Sequence, residues 1–347
     1  SLGSTAFSSN GFYNSDGVSS AALTYLGANN VAATVNAGSY SGGLVVSNAV
    51  AKAGTILSNY NISYIAGNLV INAAPITVTA DTQTMAYGAA SLPNFTYVAT
   101  GLKNGDTPFT GSLATTASVF NGNAGTASGI GAYGINQGTL NAGTNYMINF
   151  VSANLTVNPV SLLISANAQS STYGSALNLG TSAFSASGLV NGDTVSSVGL
   201  TVAANVTVPG TTNAGTYTIV SNNALGTRIG NYNITYQTGV LTVNPKPINV
   251  VANPAAMVYA DASLPALTYQ TIIGLVNGDT MSGVLTTSAT AFNGSAGSAS
   301  NVGTYAITQG SLTAGNNYAI TYAAANLTVS VANLTVAANN QTSTYGA

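Results

Sequence analysis

Cysteine, histidine, tryptophan and glutamate are absent from this sequence, and charge is scarce: four cations and six aspartates in 347 residues. Each absence closes a route. Without cysteine there is no disulfide and no thiol nucleophile, and without histidine no imidazole base and no ordinary zinc site. Lys52, Lys103, Arg228 and Lys246 are scattered, so they form no basic stripe for nucleic acid. No run approaches the ~18 apolar residues of a membrane helix, so insertion into a membrane is not expected. The chain also shows no signal peptide and no initiating methionine, and it reads as a mature fragment of something longer. No group of acid, base and nucleophile presents itself. The sequence implies no enzyme and no cofactor.

What is present suits β-structure. The apolar share is 46%, enough for a core, and much of the remainder is Gly, Ser, Thr and Asn, residues of strands and turns more than of helices. Low charge over a Ser/Thr/Asn-rich surface fits an extracellular setting, and so few charges predict little dependence on salt.

The chain is a repeat. Asn59-Tyr60, Asn145-Tyr146, Asn231-Tyr232 and Asn317-Tyr318 recur at intervals of 86 residues, followed by Leu69, Leu155, Leu241 and Leu327 at the same interval. Tyr87-Gly88, Tyr173-Gly174, Tyr259-Ala260 and Tyr345-Gly346 keep it too. The turn Gly101-Leu-Lys-Asn-Gly-Asp106 recurs at 188–193 and 274–279, and Asn-Gly between alternating runs is a strong hairpin signal. Gly-x-Tyr recurs at Tyr40, Tyr133, Tyr217 and Tyr305. Short alternating strands, glycine turns and no helical period predict an all-β fold: a tandem array of immunoglobulin-like β-sandwiches forming an extended rod. Proline-bearing junctions such as Asn158-Pro159 are too short for flexible tethers.

The repeats are of two kinds. Residues 131–140 match 303–312 at an offset of 172, whereas Leu2-Gly-Ser-Thr-Ala-Phe7 matches Leu179-Gly-Thr-Ser-Ala-Phe184 at 177. The expected domains are therefore 1–72 (type A, without its first strand), 75–158 (B), 160–245 (A) and 247–330 (B). Residues 332–347 match the first strand of a type A repeat. Leu334, Val336 and Tyr345 are the candidate assembly residues of a donor strand, which would complete the first sandwich of another copy, head to tail. The plainer reading is a window of a much longer repeat protein.

The Tyr-Gly, Gly-Leu-x-Asn-Gly-Asp, Gly-x-Tyr, Asn-Tyr and Leu-Thr-Val-Asn-Pro marks resemble the MBG and YDG repeats of large bacterial surface proteins, known from filamentous-haemagglutinin-like adhesins exported by two-partner secretion. The resemblance covers the whole chain. It implies immunoglobulin-like sandwiches, placement outside the cell or on the bacterial surface, and a stalk or adhesin role, with no catalytic residues. No export domain or distinct head is visible, so a binding part is expected elsewhere.

The same residues invite other chemistry. Asp106, Asp193 and Asp279, with Asp16 as their equivalent, invite calcium, but one carboxylate per turn falls short of its six to eight oxygens. An Asp closing its turn through its own backbone amides is the expectation, with no metal site. Lys103 in a turn and Lys246 in a linker do not suit isopeptide bonds, and Asn-x-Ser/Thr sequons are no commoner than chance allows in such a composition. The nineteen tyrosines could stack on host or matrix glycans, making this a carbohydrate-binding adhesin module. Their fixed register argues for packing instead. Tyr133, Tyr217 and Tyr305 read as corner tyrosines bonded to the main chain, and Tyr60, Tyr146, Tyr232 and Tyr318 as covers of the core edge. A membrane β-barrel and a β-solenoid fit an 86-residue unit with internal turns less well.

Overall fold

A computed structural model describes residues 2–25, 28 and 30–346. The described chain is almost wholly strand and turn, with only two single-turn 3-10 helices, Leu57–Asn59 and Ile229–Asn231. It divides into two compact units. The first is Ser1–Val160 with Val190–Asp193 and Gly230–Asn233; the second is Ser161–Leu189, Thr194–Ile229 and Ile234–Ala347.

In the first unit, residues 74–158 make a sandwich of two sheets. Ala74–Ala80 runs between Tyr97–Thr100, antiparallel, and Tyr146–Val151, parallel. The other sheet orders Gln83–Ala86, Ala153–Asn158, Gly131–Asn136 and Ala114–Thr115. Both terminal runs of the sandwich serve both sheets: Ala74–Ala80 and Gln83–Ala86 are successive pieces of one run, and Tyr146–Val151 and Ala153–Asn158 of another. Alternation of side chains explains the core. Ile76, Val78 and Ala80 on one sheet and Ile135, Leu155 and Val157 on the other are all buried. Each large aliphatic among them contributes about 1.5–3 kcal/mol through burial. Pro75 stands second in its strand, where a missing N–H is tolerated.

Residues 18–71 form one antiparallel sheet, Val18–Tyr25, Gly38–Ala51 and Gly67–Ile71, with Ala21, Leu23 and Tyr25 buried. Residues 2–17 and 60–66 lie in no strand.

The second unit repeats the design. Val160–Ala166 lies between Phe184–Ser187 and Tyr232–Gln237, and the facing sheet orders Gln169–Thr172, Gly239–Asn244, Gly215–Gly226 and Val195–Thr201. Next, Lys246–Val251 runs parallel to Tyr318–Ala323, opposite a sheet of Ala255–Val258, Ala325–Ser330, Gly303–Thr308 and Thr286–Thr287. Val250 from one sheet and Ile307, Leu327 and Val329 from the other share one core cluster with Met257 and Leu285. The chain is an all-β tandem array of immunoglobulin-like sandwiches.

The hairpin expected at Asn-Gly does not form. Asn104 and Gly105 do take positive φ, 56° and 73°, as do Asn191 and Gly192 at 56° and 67°. Yet Tyr97–Thr100 before the turn and Ala114–Thr115 after it belong to different sheets, as do Phe184–Ser187 and Val195–Thr201. The turn carries the chain across the sandwich, which frees its side chains for another task. Residues 332–346 lie in no strand.

Candidate functional site

That task is a clasp between successive repeats. In the first unit Tyr87 Oη donates to Asp193 Oδ2 at 2.7 Å, and Tyr232 Oη reaches the same oxygen at 2.8 Å. Asn191 Nδ2 donates to Tyr87 Oη at 2.8 Å, and the two tyrosine rings meet edge to face, centroids 5.6 Å apart. All four side chains are buried. The neighbouring main chain joins in: Ala127 N–H donates to Asn191 Oδ1, Gly125 N–H to Asn191 O, and Ile130 N–H to Asn231 Oδ1. Local rules explain the placement. The left-handed Asn-Gly pair tightens the turn through Asp193 N–H to Val190 O, leaving the Asn and Asp side chains aimed outward. Gly88 has φ +74°, and a Cβ there would lie 2.9 Å from Val190 Cβ. Only a bare backbone allows that approach.

The second unit also sets two tyrosines on one carboxylate, with its turn Asn exposed and bonded elsewhere. Tyr173 and Tyr318 each donate to Asp279 Oδ2 at 2.8 Å, their rings 5.5 Å apart. Asn317 Oδ1 accepts from Ala214 N–H, and Asn277 Nδ2 donates to Gly210 O. The Asn-Tyr pair is thus a joint marker. Its Asn holds the preceding repeat while its Tyr holds the turn aspartate of its own.

Two further copies of the site carry one tyrosine each. Tyr146 donates to Asp106 Oδ2 at 2.6 Å, and Tyr60 to Asp16 Oδ2 at 2.7 Å. Among the described residues no second tyrosine hydroxyl reaches either carboxylate. Asn145 still joins its repeat to the one before, accepting from Ala37 N–H at 2.8 Å.

The electrostatics follow burial and the carboxylates. Burial, helped by Asp193, pushes the Tyr232 hydroxyl up to about 12. Burial raises Tyr87 and Tyr318 too, whereas the hydrogen bonds to Asp106 and Asp16 are the main cause of the rises at Tyr146 and Tyr60. A phenol beside a carboxylate keeps its proton, because losing it would set two anions side by side.

The turn aspartates therefore do something the sequence reading missed. Their carboxylates accept tyrosine hydroxyls, where closure through their own amides was expected, because a tyrosine of the same repeat reaches each turn and, at Asp193 and Asp279, a tyrosine of the preceding repeat joins it. Constant spacing was the available signal: Tyr87 to Asp193 and Tyr173 to Asp279 are both 106 residues. The described residues hold no group of three or more metal-ligating side chains. The corner tyrosines are as expected, with Tyr133, Tyr217 and Tyr305 donating to Gly129 O, Asn213 O and Asn301 O at 2.8–2.9 Å. Tyr60, Tyr146, Tyr232 and Tyr318 are the clasp residues themselves and not mere covers of a core edge.

The candidate assembly residues are not brought together with any site. Leu334, Val336 and Tyr345 are 87%, 85% and 106% exposed. Separately, the first unit has a groove of about 930 Å³ between the inner face of its three-stranded sheet, with Leu23, Leu44 and Val46, and the strandless stretches 5–12 and 60–65.

The YGX-type MBG domain model matches residues 76–156, 162–242 and 248–328, most of the chain. The chain belongs to the MBG domain family. No curated protein matches this MBG chain. Among solved structures it is similar to the N-terminal four Ig domains of Dscam1 isoform 7.44, at 12% identity and a TM-score of 0.20, covering 88% of this chain and 82% of that one. It is also similar to Drosophila N-cadherin EC1-4, at 8% identity and a TM-score of 0.21, covering 84% and 82%. No helix among the described residues is long and apolar enough to cross a membrane.

Proposed function

We propose that this MBG array is a structural, non-enzymatic part of an extracellular bacterial surface protein, a stalk or filament in which copies join head to tail by strand donation. The observation that carries the reading is a match of register between the groove and residues 332–338. In the third repeat Val160–Ala166 fills the slot between Phe184–Ser187 and Tyr232–Gln237, with Leu162 and Ile164 buried. The counterparts of those two flanking strands are residues 7–10 and 60–65, which line the groove. The counterpart of the filling strand is 332–338, which sets Leu334 at the position of Leu162 and Val336 at that of Ile164. Burying two such side chains favours association by about 1.5–3 kcal/mol each, and the paired backbone fixes direction.

The clasps support a mechanical part, since at Asp193 and Asp279 a carboxylate and a tyrosine of the preceding repeat are spent on joining neighbours. The same use of tyrosine weakens the case for a glycan-stacking surface. Electron microscopy of the full chain and of one lacking residues 332–347 tests assembly. Filaments are expected only from the first; normal assembly of the truncated chain refutes strand donation.

A further inference from the structure

We infer that Asn191 is a deamidation site guarded by the clasp: opening the joint frees it for ring closure by Gly192, and the acid that results keeps the joint from closing as before. The chemistry needs only the chain and water. The Gly192 backbone nitrogen attacks Asn191 Cγ, a C–N bond forms, the Cγ–Nδ2 bond breaks, and ammonia leaves with the proton of the Gly192 amide. Water then opens the cyclic imide at either carbonyl, giving aspartate or isoaspartate with no change of oxidation state. Glycine hinders this step least, having no side chain beside the attacking nitrogen.

Three turns carry the pair in one conformation. Asn104, Asn191 and Asn277 have φ 56°, 56° and 58°, followed by glycines at 73°, 67° and 79°. Their side chains fare differently. Asn104 and Asn277 are exposed, each tied through Nδ2 to one carbonyl, of Ala33 and of Gly210. Asn191 is 2% exposed and pinned at both ends of its amide, Nδ2 donating to Tyr87 Oη at 2.8 Å and Oδ1 accepting from Ala127 N–H at 3.1 Å. Its backbone is held as well: Gly125 N–H donates to Asn191 O, and a Cβ on Gly192 would lie 2.7 Å from that of Ala124. Ring closure requires the Asn191 amide to leave both partners and Gly192 to move, so the joint must open first. The product cannot rebuild the clasp. Tyr87 already gives its proton to Asp193, so a carboxylate in place of the Asn191 amide offers it lone pairs only and sets a second anion beside the first. Isoaspartate also adds a methylene to the backbone of the turn. An opening that reaches this step is recorded permanently.

The test incubates full-length chain at mildly alkaline pH and follows the three asparagines by peptide mapping with mass spectrometry. Denatured chain supplies the intrinsic rate of each. Relative to that rate, folded chain should convert Asn191 roughly tenfold or more slowly than Asn104 and Asn277, the population cost of breaking even one hydrogen bond. Tyr87→Phe leaves the sequence around Asn191 untouched and should speed its conversion roughly tenfold, while Asn104 and Asn277 keep their folded-chain rates and so show that the variant folds. Asn191→Asp, one of the two products, should speed hydrogen exchange at the Gly125 and Ala127 amides. Asn191 converting as fast as Asn104 in folded chain, or at an unchanged rate in Tyr87→Phe, overturns the guard. Exchange in Asn191→Asp equal to that of the parent overturns the permanent record.

Discussion

Asp193→Ala separates a clasp from a turn. The carboxylate is 6% exposed and holds Tyr87 at 2.7 Å and Tyr232 at 2.8 Å. A hydrogen bond to a charged group contributes about 1.5–3 kcal/mol, and a buried hydroxyl left without its partner adds to the loss. Against this stands the relief of no longer burying a charge. The net expectation is a loss of about 3–4 kcal/mol at this joint. Asp106→Ala is the internal control: same turn, same residue, one tyrosine, so about 1–2 kcal/mol from a single bond. Unfolding of a tandem array is not two-state, so the readout should be local. Hydrogen exchange at the Ala127, Gly125 and Ile130 amides, which donate across the joint, reports its opening directly. Asp193→Ala should speed exchange there and leave Ile135 in the core of its own sheet protected. Equal losses for Asp193→Ala and Asp106→Ala would show that the aspartate merely closes its turn.

Two further outcomes follow from the same geometry. The folded state raises the Tyr232 hydroxyl to about 12, so its contribution is complete below the ordinary tyrosine value of about 10 and is lost as pH climbs through about 12. Ultraviolet titration should show late tyrosinate formation that diminishes in Tyr232→Phe; ionisation of every tyrosine together near the ordinary value would contradict the buried clasp. Gly88→Ala places a Cβ at φ +74°, 2.9 Å from Val190 Cβ, and should cost about 1–3 kcal/mol. Val190→Ala in the same chain should recover part of it, and thermal denaturation indifferent to Gly88→Ala would deny the close approach.

Much of the fold is legible in the residues. Strand after strand alternates, so Ile76, Val78, Leu155 and Val157 could be placed inside from pattern alone, because side chains of a pleated strand point to opposite faces in turn. Corner tyrosines were readable for a similar reason: Gly-x-Tyr fixes a local geometry, and the hydroxyl returns to a carbonyl four residues back. Positive φ at Asn104 and Gly105 follows from the residues themselves, an Asn whose short polar side chain tolerates it and a Gly with no Cβ to oppose it. The hairpin inference failed at the next step, since a turn's conformation does not say which sheet the chain enters afterwards.

The sequence by itself therefore determined the repeat, its all-β character and the conformation of each turn, all of which depend on neighbours a few residues away. Only the tertiary structure decided that Tyr87 and Tyr232 converge on Asp193. Those partners are 106 and 39 residues from it, and their meeting depends on a close backbone approach at Gly88 and Val190 that no local pattern encodes.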